Sequence, residues 1–256
     1  MRCNYREHRY YCGEFLDVQV YPVYRKAGVR GARAKPTSDI QAKLNAENSI
    51  KRLTRLIHTN FTRDDYALHL TYRDDEMPAD DLAAKKNTKN FLARAKRLYS
   101  SSSAGLIKYI LVTEKSDKGR YHHHLIVSGG QGGAKVDRTA LERCWGKGYA
   151  NTKALQFTDA GLSGLARYIT KKPLFFKRWS CSRGLKKPVE KIRDGRFSGK
   201  KAAKFINEIA PPFIGYDDAQ KRFAAIFGDY SLVNFKGMYN NFNGGAYISA
   251  IMRKRM

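Results

Sequence analysis

The sequence predicts an α+β fold, and three observations carry that prediction. Strand-like and helix-like segments alternate irregularly along the chain, whereas a doubly wound parallel sheet would alternate them regularly. Two strand-like segments, Ile107 to Glu114 and Tyr121 to Val127, are separated only by a polar loop, Lys115 to Arg120, whose Gly119 suits an antiparallel hairpin. The 256 residues are 42% hydrophobic and 12% aromatic, enough for a real core and too apolar for wholesale disorder.

In chain order, Phe15 to Val23 alternates as a strand, and Arg25 to Lys35 is a flexible basic loop. Ser38 caps a helix running to about His58, with Ile40, Leu44, Leu53, Leu56 and Ile57 as its apolar stripe. Tyr66 to Tyr72 is a strand closed by the turn-forming Arg73 to Pro78. A basic amphipathic helix follows from about Asp80 to Leu98 and ends in the serines 100 to 103. After the hairpin, the glycine run Gly129 to Gly133 has no Lys-Ser/Thr behind it, so it is a mobile loop and not a phosphate-binding loop. Asp137 caps a helix to about Trp145, Tyr149 to Phe157 is a strand, and Asp159 caps a helix through Lys172 that Pro173 stops. Lys201 to Ile209 and Asp217 to Phe227 are helical, and two strand-like runs close the chain. The organisation expected is an N-terminal strand, basic loop and helix over residues 1–60, a core domain over 61–190, and a basic C-terminal region over 191–256 packed on that core.

Charge narrows the function. There are 49 Lys and Arg against 23 Asp and Glu, a formal net charge of +26. Such an excess costs self-repulsion and points to a polyanionic partner, nucleic acid ahead of an anionic membrane or a generic basic surface. No segment approaches the roughly 18 uninterrupted apolar residues of a membrane span. The N-terminal stretch to Cys12 has no apolar core of a secretory signal, and Cys3, Cys12, Cys144 and Cys181 do not make a disulfide framework; a reduced cytoplasm is expected. Cys3, His8 and Cys12 form at most a partial zinc site, since no fourth ligand is evident.

The most informative segment is Tyr121-His122-His123-His124-Leu125-Ile126-Val127. On a strand, His122 and His124 share one face, about 7 Å apart along the pleat, and His123 takes the other. The hairpin sets Glu114 opposite Tyr121 or His122, and one carboxylate with two imidazoles suits Mg²⁺ or Mn²⁺, with Mn²⁺ favoured by the nitrogen ligands. Taken singly, the histidines also fit a solvated edge strand and Glu114 a surface hairpin carboxylate. Tyr168 is a candidate nucleophile, with Lys171 and Lys172 at i+3 and i+4 on the same helix to favour its phenolate. By itself it is one of 16 tyrosines, most of which pack.

His-X-His on a strand, an acidic residue shortly before it and Tyr168-X-X-Lys171 on a following helix resemble the HUH endonucleases. These include the rolling-circle replication initiators of phages, plasmids and single-stranded DNA viruses. The strand Leu68 to Tyr72 looks like the first of that family's three motifs. Lys118 to Arg120 and the run Trp179 to Pro188 look like a replication-associated branch from phages and prophages. The resemblance covers residues 60 to 190.

It implies a central five-stranded antiparallel sheet with flanking helices, and metal-dependent nicking and rejoining of single-stranded DNA through a 5′-phosphotyrosine. His122 and His124 would be metal ligands with Glu114 a third, Tyr168 the nucleophile, and Lys171, or failing it Lys172, the helper cation. Arg120, Lys177, Arg178, Trp179, Arg183, Lys186 and Lys187 would contact the DNA, with Phe175, Phe176 and Trp179 available to stack on unpaired bases. The partners implied are a single-stranded origin with a hairpin and a host helicase and polymerase, in the bacterial cytoplasm. Two features depart from the pattern: the middle motif position, usually apolar, is His123, and no second tyrosine stands one turn from Tyr168, where Gly164 and Lys172 lie. The readings that compete are a non-catalytic DNA- or RNA-binding regulator on the same fold, and a relaxase or transposase using the same chemistry.

Overall fold

The computed structural model describes residues 4–24, 39–171, 174, 178–209, 216–240 and 244–255. The chain opens with β1 (Asn4–Cys12), β2 (Phe15–Val23), α1 (Asp39–Asn60), β3 (Tyr66–Thr71) and α2 (Asp81–Ser101). Its middle holds β4 (Tyr109–Lys115), β5 (Tyr121–Val127), β6 (Gly130–Gln131), β7 (Ala134–Lys135), α3 (Arg138–Arg143), β8 (Ala150–Ala154) and α4 (Ser163–Ile169). It ends with β9 (Ser180–Cys181), β10 (Val189–Asp194), α5 (Gly199–Ile209), α6 (Tyr216–Ile226), β11 (Tyr230–Asn240) and β12 (Gly245–Lys254). The fold is α+β, and the strands form two five-stranded antiparallel sheets, β8-β3-β5-β4-β9 and β10-β1-β2-β12-β11, with β6 and β7 as a small ribbon. Two compact units result: Asn60–Phe157 with Leu162–Lys186, and Met1–Thr59 with Thr158–Gly161 and Lys187–Met256.

The unit from Asn60 is built on β8-β3-β5-β4-β9. On β3 the alternation is strict: Tyr66, Leu68 and Leu70 are buried, while Ala67, His69 and Thr71 between them are half-buried on the opposite face. Pairing carries this across the sheet, with Leu68 opposite Leu125 and Leu111 opposite Leu125 on one face. That face receives α2, whose buried residues Ala84, Thr88, Phe91, Leu92, Ala95 and Tyr99 recur at helical spacing. Burying Phe91, Leu92 and Tyr99 contributes on the order of 2 kcal/mol each. The helix starts where the sequence places it, because the Asp80 carboxylate accepts from the Ala83 N–H at 2.7 Å. Trp145, fully buried after α3, fills the same core and donates its indole N–H to the Thr71 carbonyl at 2.6 Å.

The second unit packs helices against β10-β1-β2-β12-β11. Leu16, Val18 and Val20 of β2 and Ile248, Ala250 and Met252 of β12 form a core with Ala202 and Ile206 of α5 and Phe223 of α6. The other face of β2 meets α1: Arg55 donates to Asp17 at 2.6 Å, and Phe15 stacks on His58 at 4.1 Å. The β1–β2 turn requires glycine at position 13, where φ is 62° and a Cβ would lie 2.7 Å from the His58 carbonyl oxygen. Strands from both ends of the chain thus share one sheet, with β1 between β2 and β10 and β12 between β2 and β11.

Three local expectations are corrected. Asp159 does not cap a helix; Thr158 and Gly161 exchange backbone bonds in a tight turn, and α4 spans only Ser163–Ile169 with no side-chain cap. The glycine run forms the β6–β7 ribbon beyond the Val127 end of β5, because positive φ at Gly130, Gly132 and Gly133 closes the turn. The first strand is a hairpin, since β1 precedes β2 and pairs with it from Asn4 to Cys12. The basic loop from Arg25 lies outside the described residues, as do Cys3, Lys172, Phe175, Phe176 and Lys177.

Candidate active site

The face of β8-β3-β5-β4-β9 opposite α2 collects the polar groups. Register puts Thr71, His122 and Glu114 side by side across three strands, and His69, His124 and Val112 in the next row. Glu114 therefore stands opposite His122, one of the two positions the hairpin allows; the loop is closed by Ser116 N–H to Arg120 O and Gly119 N–H to Ser116 O, both 2.8 Å. The Glu114 Oε2 lies 2.9 Å from His122 Nε2 and 3.4 Å from His124 Nε2.

A third histidine joins them. His69 stacks on His124 with ring centroids 4.6 Å apart, and His122 meets both edge-on at 5.6 and 5.2 Å. One ligand atom from each of His69, His122 and His124 falls within 4.8 Å of the others. The sequence alone does not single out His69 as a ligand; its only signal there is a polar residue alternating with Leu68 and Leu70 on the non-core face of a strand.

Burial is the main cause that lowers the His69 and His124 imidazoles below their ordinary range, His124 to about 4, and the neighbouring histidines add to it. Both are therefore neutral at pH 7, as metal ligands must be, and the 3.4 Å contact of His124 with Glu114 is polar rather than an ion pair. The residues fit a metal by a second criterion: the buried His69 Nε2 has no hydrogen-bond partner, although it points among donors of the right chemistry. A cluster of three imidazoles beside one carboxylate can hold a divalent transition metal.

His123 has the opposite environment. It is fully buried against α2 and Trp145, and its two ring nitrogens meet the Tyr72 hydroxyl at 2.8 Å and the Thr113 hydroxyl at 2.9 Å. Burial pushes its imidazole down to about 3 and the Tyr72 phenol up to about 12, so both stay neutral. A neutral ring needs one donor and one acceptor partner, and two hydroxyls supply both. The polar residue at a position that is usually apolar is thus accommodated without a buried orphan.

Tyr168, on α4, is 63% exposed, and its ring centroid lies 5.5 Å from that of His124. Ala166 and Ile169 are the buried residues of that short helix, which turns Tyr168 outward. Past the helix, the Leu174 N–H bonds to the Thr113 carbonyl at 2.9 Å and ties the segment to β4. Tyr168, Lys171, Glu114, Lys115, Ser116, Asp117 and His122 line one cavity of about 250 Å³. So the structure brings together Glu114, His122, His124, Tyr168 and Lys171, and adds His69.

The expected DNA contacts are scattered. Arg120 is held by the Asp74 carboxylate and by the Tyr72 carbonyl at 2.9 Å, which pins the β4–β5 loop to the end of β3. Arg178 and Trp179 are half-buried, whereas Arg183, Lys186 and Lys187 are exposed. His8 is engaged by Glu190 at 2.8 Å and stacked on Tyr10, and Cys12 is buried with its thiol on the Tyr10 carbonyl; the histidine trio is the only metal-type cluster among the described residues. No helix among them is long and apolar enough to cross a membrane.

No curated protein matches the chain. Residues 65–173, which carry β3, the hairpin, all three histidines and Tyr168, match the family model of the ORF2-type replication-associated proteins, so the resemblance to rolling-circle replication initiators is shown over the segment that holds the site.

Proposed function

We propose that this chain initiates rolling-circle replication by nicking and rejoining single-stranded DNA through Tyr168. The observation that carries the proposal is a single cavity shared by an exposed tyrosine, a lysine and the edge of a histidine cluster that has an unpartnered ligand nitrogen. His69, His122 and His124 would hold the metal, with Glu114 as carboxylate ligand or as acceptor orienting His122. Three imidazoles favour Mn²⁺ over Mg²⁺. When bound, such an ion supplies Lewis-acid polarisation and charge neutralisation at the scissile phosphate.

The protein's own groups do the rest. The Tyr168 Oη attacks the phosphorus and forms the O–P bond of a 5′-phosphotyrosine. Its proton passes to water, to which the phenol is open at 63% exposure. The bond from phosphorus to the 3′ oxygen breaks, and that oxygen takes a proton to leave as a 3′-OH. Lys171 lines the same cavity and places a positive charge beside the attacking oxygen and the phosphate. The phosphoester is conserved, so the reverse attack by a 3′-OH reseals the strand without ATP. The DNA partner is a single-stranded origin with a hairpin. Strand separation and extension of the 3′-OH fall to a host helicase and polymerase, because the sequence holds no phosphate-binding loop.

The test is a labelled single-stranded oligonucleotide from the replicon's intergenic region, incubated with the protein and Mn²⁺ or EDTA and resolved on a denaturing protein gel. A metal-dependent covalent adduct is expected from the wild type and none from Tyr168→Phe. An adduct that survives the substitution moves the nucleophile to another tyrosine. No adduct across a tiled origin, with salt-sensitive binding intact, favours the non-catalytic regulator.

A further inference from the structure

The unit that carries the terminal strands lies almost wholly outside the family match, and it has a cavity of its own. Arg196, Phe197, Lys201, Lys204, Phe205, Arg222 and Ile226 line a space of about 340 Å³. Four of these seven side chains are cationic, three are apolar, and none is acidic. Lys201, Lys204 and Arg222 are exposed, whereas Phe205 is half-buried and packs edge-on against Phe197 at 6.2 Å and Phe223 at 5.2 Å. The aromatic wall is thus fixed by the α5–α6 core while the cations stand at the rim. Arg196 approaches the Glu7 carboxylate at 3.5 Å, so the wall on that side is anchored to β1. The cations on α5 follow helical geometry, since Lys201 and Lys204 are three residues apart and share a face.

We propose that this cavity is a second binding site for single-stranded nucleic acid, in which an unpaired base rests against Phe205 and the flanking phosphates meet Lys201, Lys204 and Arg222. A basic rim alone would take any polyanion. The aromatic wall selects an unpaired base, because the bases of a duplex are already stacked and offer no free face. The site is independent of the nicking reading, as it uses no residue of the metal cluster or of α4. It gives the terminal unit a task that a nicking centre leaves open: holding the strand through a turnover.

The experiment measures fluorescence anisotropy of a labelled single-stranded oligonucleotide and of its duplex form in EDTA, across a salt series, so that no cleavage contributes. The proteins are full-length wild type, Lys201→Ala/Lys204→Ala and Phe205→Ala, each with its fold checked by thermal melting. The lysine variant should bind the single strand roughly 10-fold more weakly, with a salt slope shallower by about 0.7 for each phosphate no longer neutralised. Phe205→Ala should weaken the single strand roughly 10-fold and spare the duplex. Unchanged affinity and slope in the lysine variant overturns the site, a conclusion independent of how Phe205→Ala folds. Equal losses for single strand and duplex also overturn it, in favour of a general basic surface. Adduct formation by the lysine variant on a short oligonucleotide at saturation should match wild type. If no protein forms the adduct, the nicking reading fails while the binding result still decides this one.

Discussion

His122, His123 and His124 are the same side chain at three successive positions of one strand, and the two faces of β5 give them opposite fates. On the α2 face, His123 is sealed among Tyr72, Thr113 and Trp145, with both nitrogens satisfied. On the other face, His122 and His124 converge with His69 around an unpartnered nitrogen and a carboxylate. Residue type does not separate a ligand from a core residue. What separates them is whether the hydrogen-bonding capacity of the ring has been consumed by the fold or left to converge on a common point.

The largest expected effect tests the open face. His69→Ala, a residue that touches no part of the His-X-His motif in sequence, should lower the rate of metal-dependent adduct formation by at least about 100-fold, as loss of a metal ligand does. Its stability without metal should change by less than about 1 kcal/mol, because the half-buried ring leaves no donor or acceptor stranded. His122→Ala should behave likewise. Near-normal adduct formation in His69→Ala would remove the third ligand and return the site to the two histidines and Glu114.

The reverse pattern should hold on the closed face. His123→Ala strips two buried hydroxyls of their partner and opens a cavity, with a cost of about 3 kcal/mol. The adduct rate of the folded fraction should stay within a few-fold of wild type. Denaturant unfolding followed through Trp145 reads the first number, and the gel assay at low temperature reads the second. A large catalytic loss with little destabilisation would mean that His123 acts on the site through the strand.

How much of this is legible in sequence follows from the range of the interactions. The pairing of Glu114 with His122 and the two-faced alternation of β5 are local to one hairpin and can be read from spacing. His69 reaches the site only through the pairing of β3 with β5, which no local pattern specifies. For the same reason nothing in the sequence joins β1 and β10, which pair across most of the chain length, into one sheet. Asp159 followed by an apolar stripe looks like a capped helix, but Gly161 can adopt φ of 62°, and the turn it closes with Thr158 delays the helix to Ser163. The polar tolerance at position 123 depends on Tyr72 and Thr113, which arrive from the end of β3 and from β4.

A pH series sharpens the comparison at smaller scale. Burial holds the His123 imidazole at about 3, while an unfolded histidine titrates near 6.5. Below that value the unfolded chain takes up a proton that the folded chain refuses. Stability therefore rises with pH between about 3 and 6.5 and is flat above, as far as this group is concerned. Going from pH 7 to 5 should cost about 2 kcal/mol through His123. In EDTA, the acid-induced loss measured through Trp145 should be smaller by that amount in His123→Ala than in wild type. Equal losses would show that the ring is not held neutral by its surroundings.

The smallest net effect is the most discriminating. If His123 is a core residue whose polarity is merely matched, the whole matched set can be exchanged. His123→Leu alone should cost about 2–4 kcal/mol, since the Tyr72 and Thr113 hydroxyls lose their common partner in a dry core. Adding Tyr72→Phe and Thr113→Val removes those hydroxyls, and the triple variant should recover most of that loss, because a polar network replaced by apolar groups of similar shape is nearly neutral. The adduct rate should be unaltered, since the open face of β5 retains His122, His124 and Glu114 in register. Recovery of stability without recovery of activity would instead give the Tyr72–His123–Thr113 set a second role, holding β3, β4 and β5 at the spacing the histidine cluster needs.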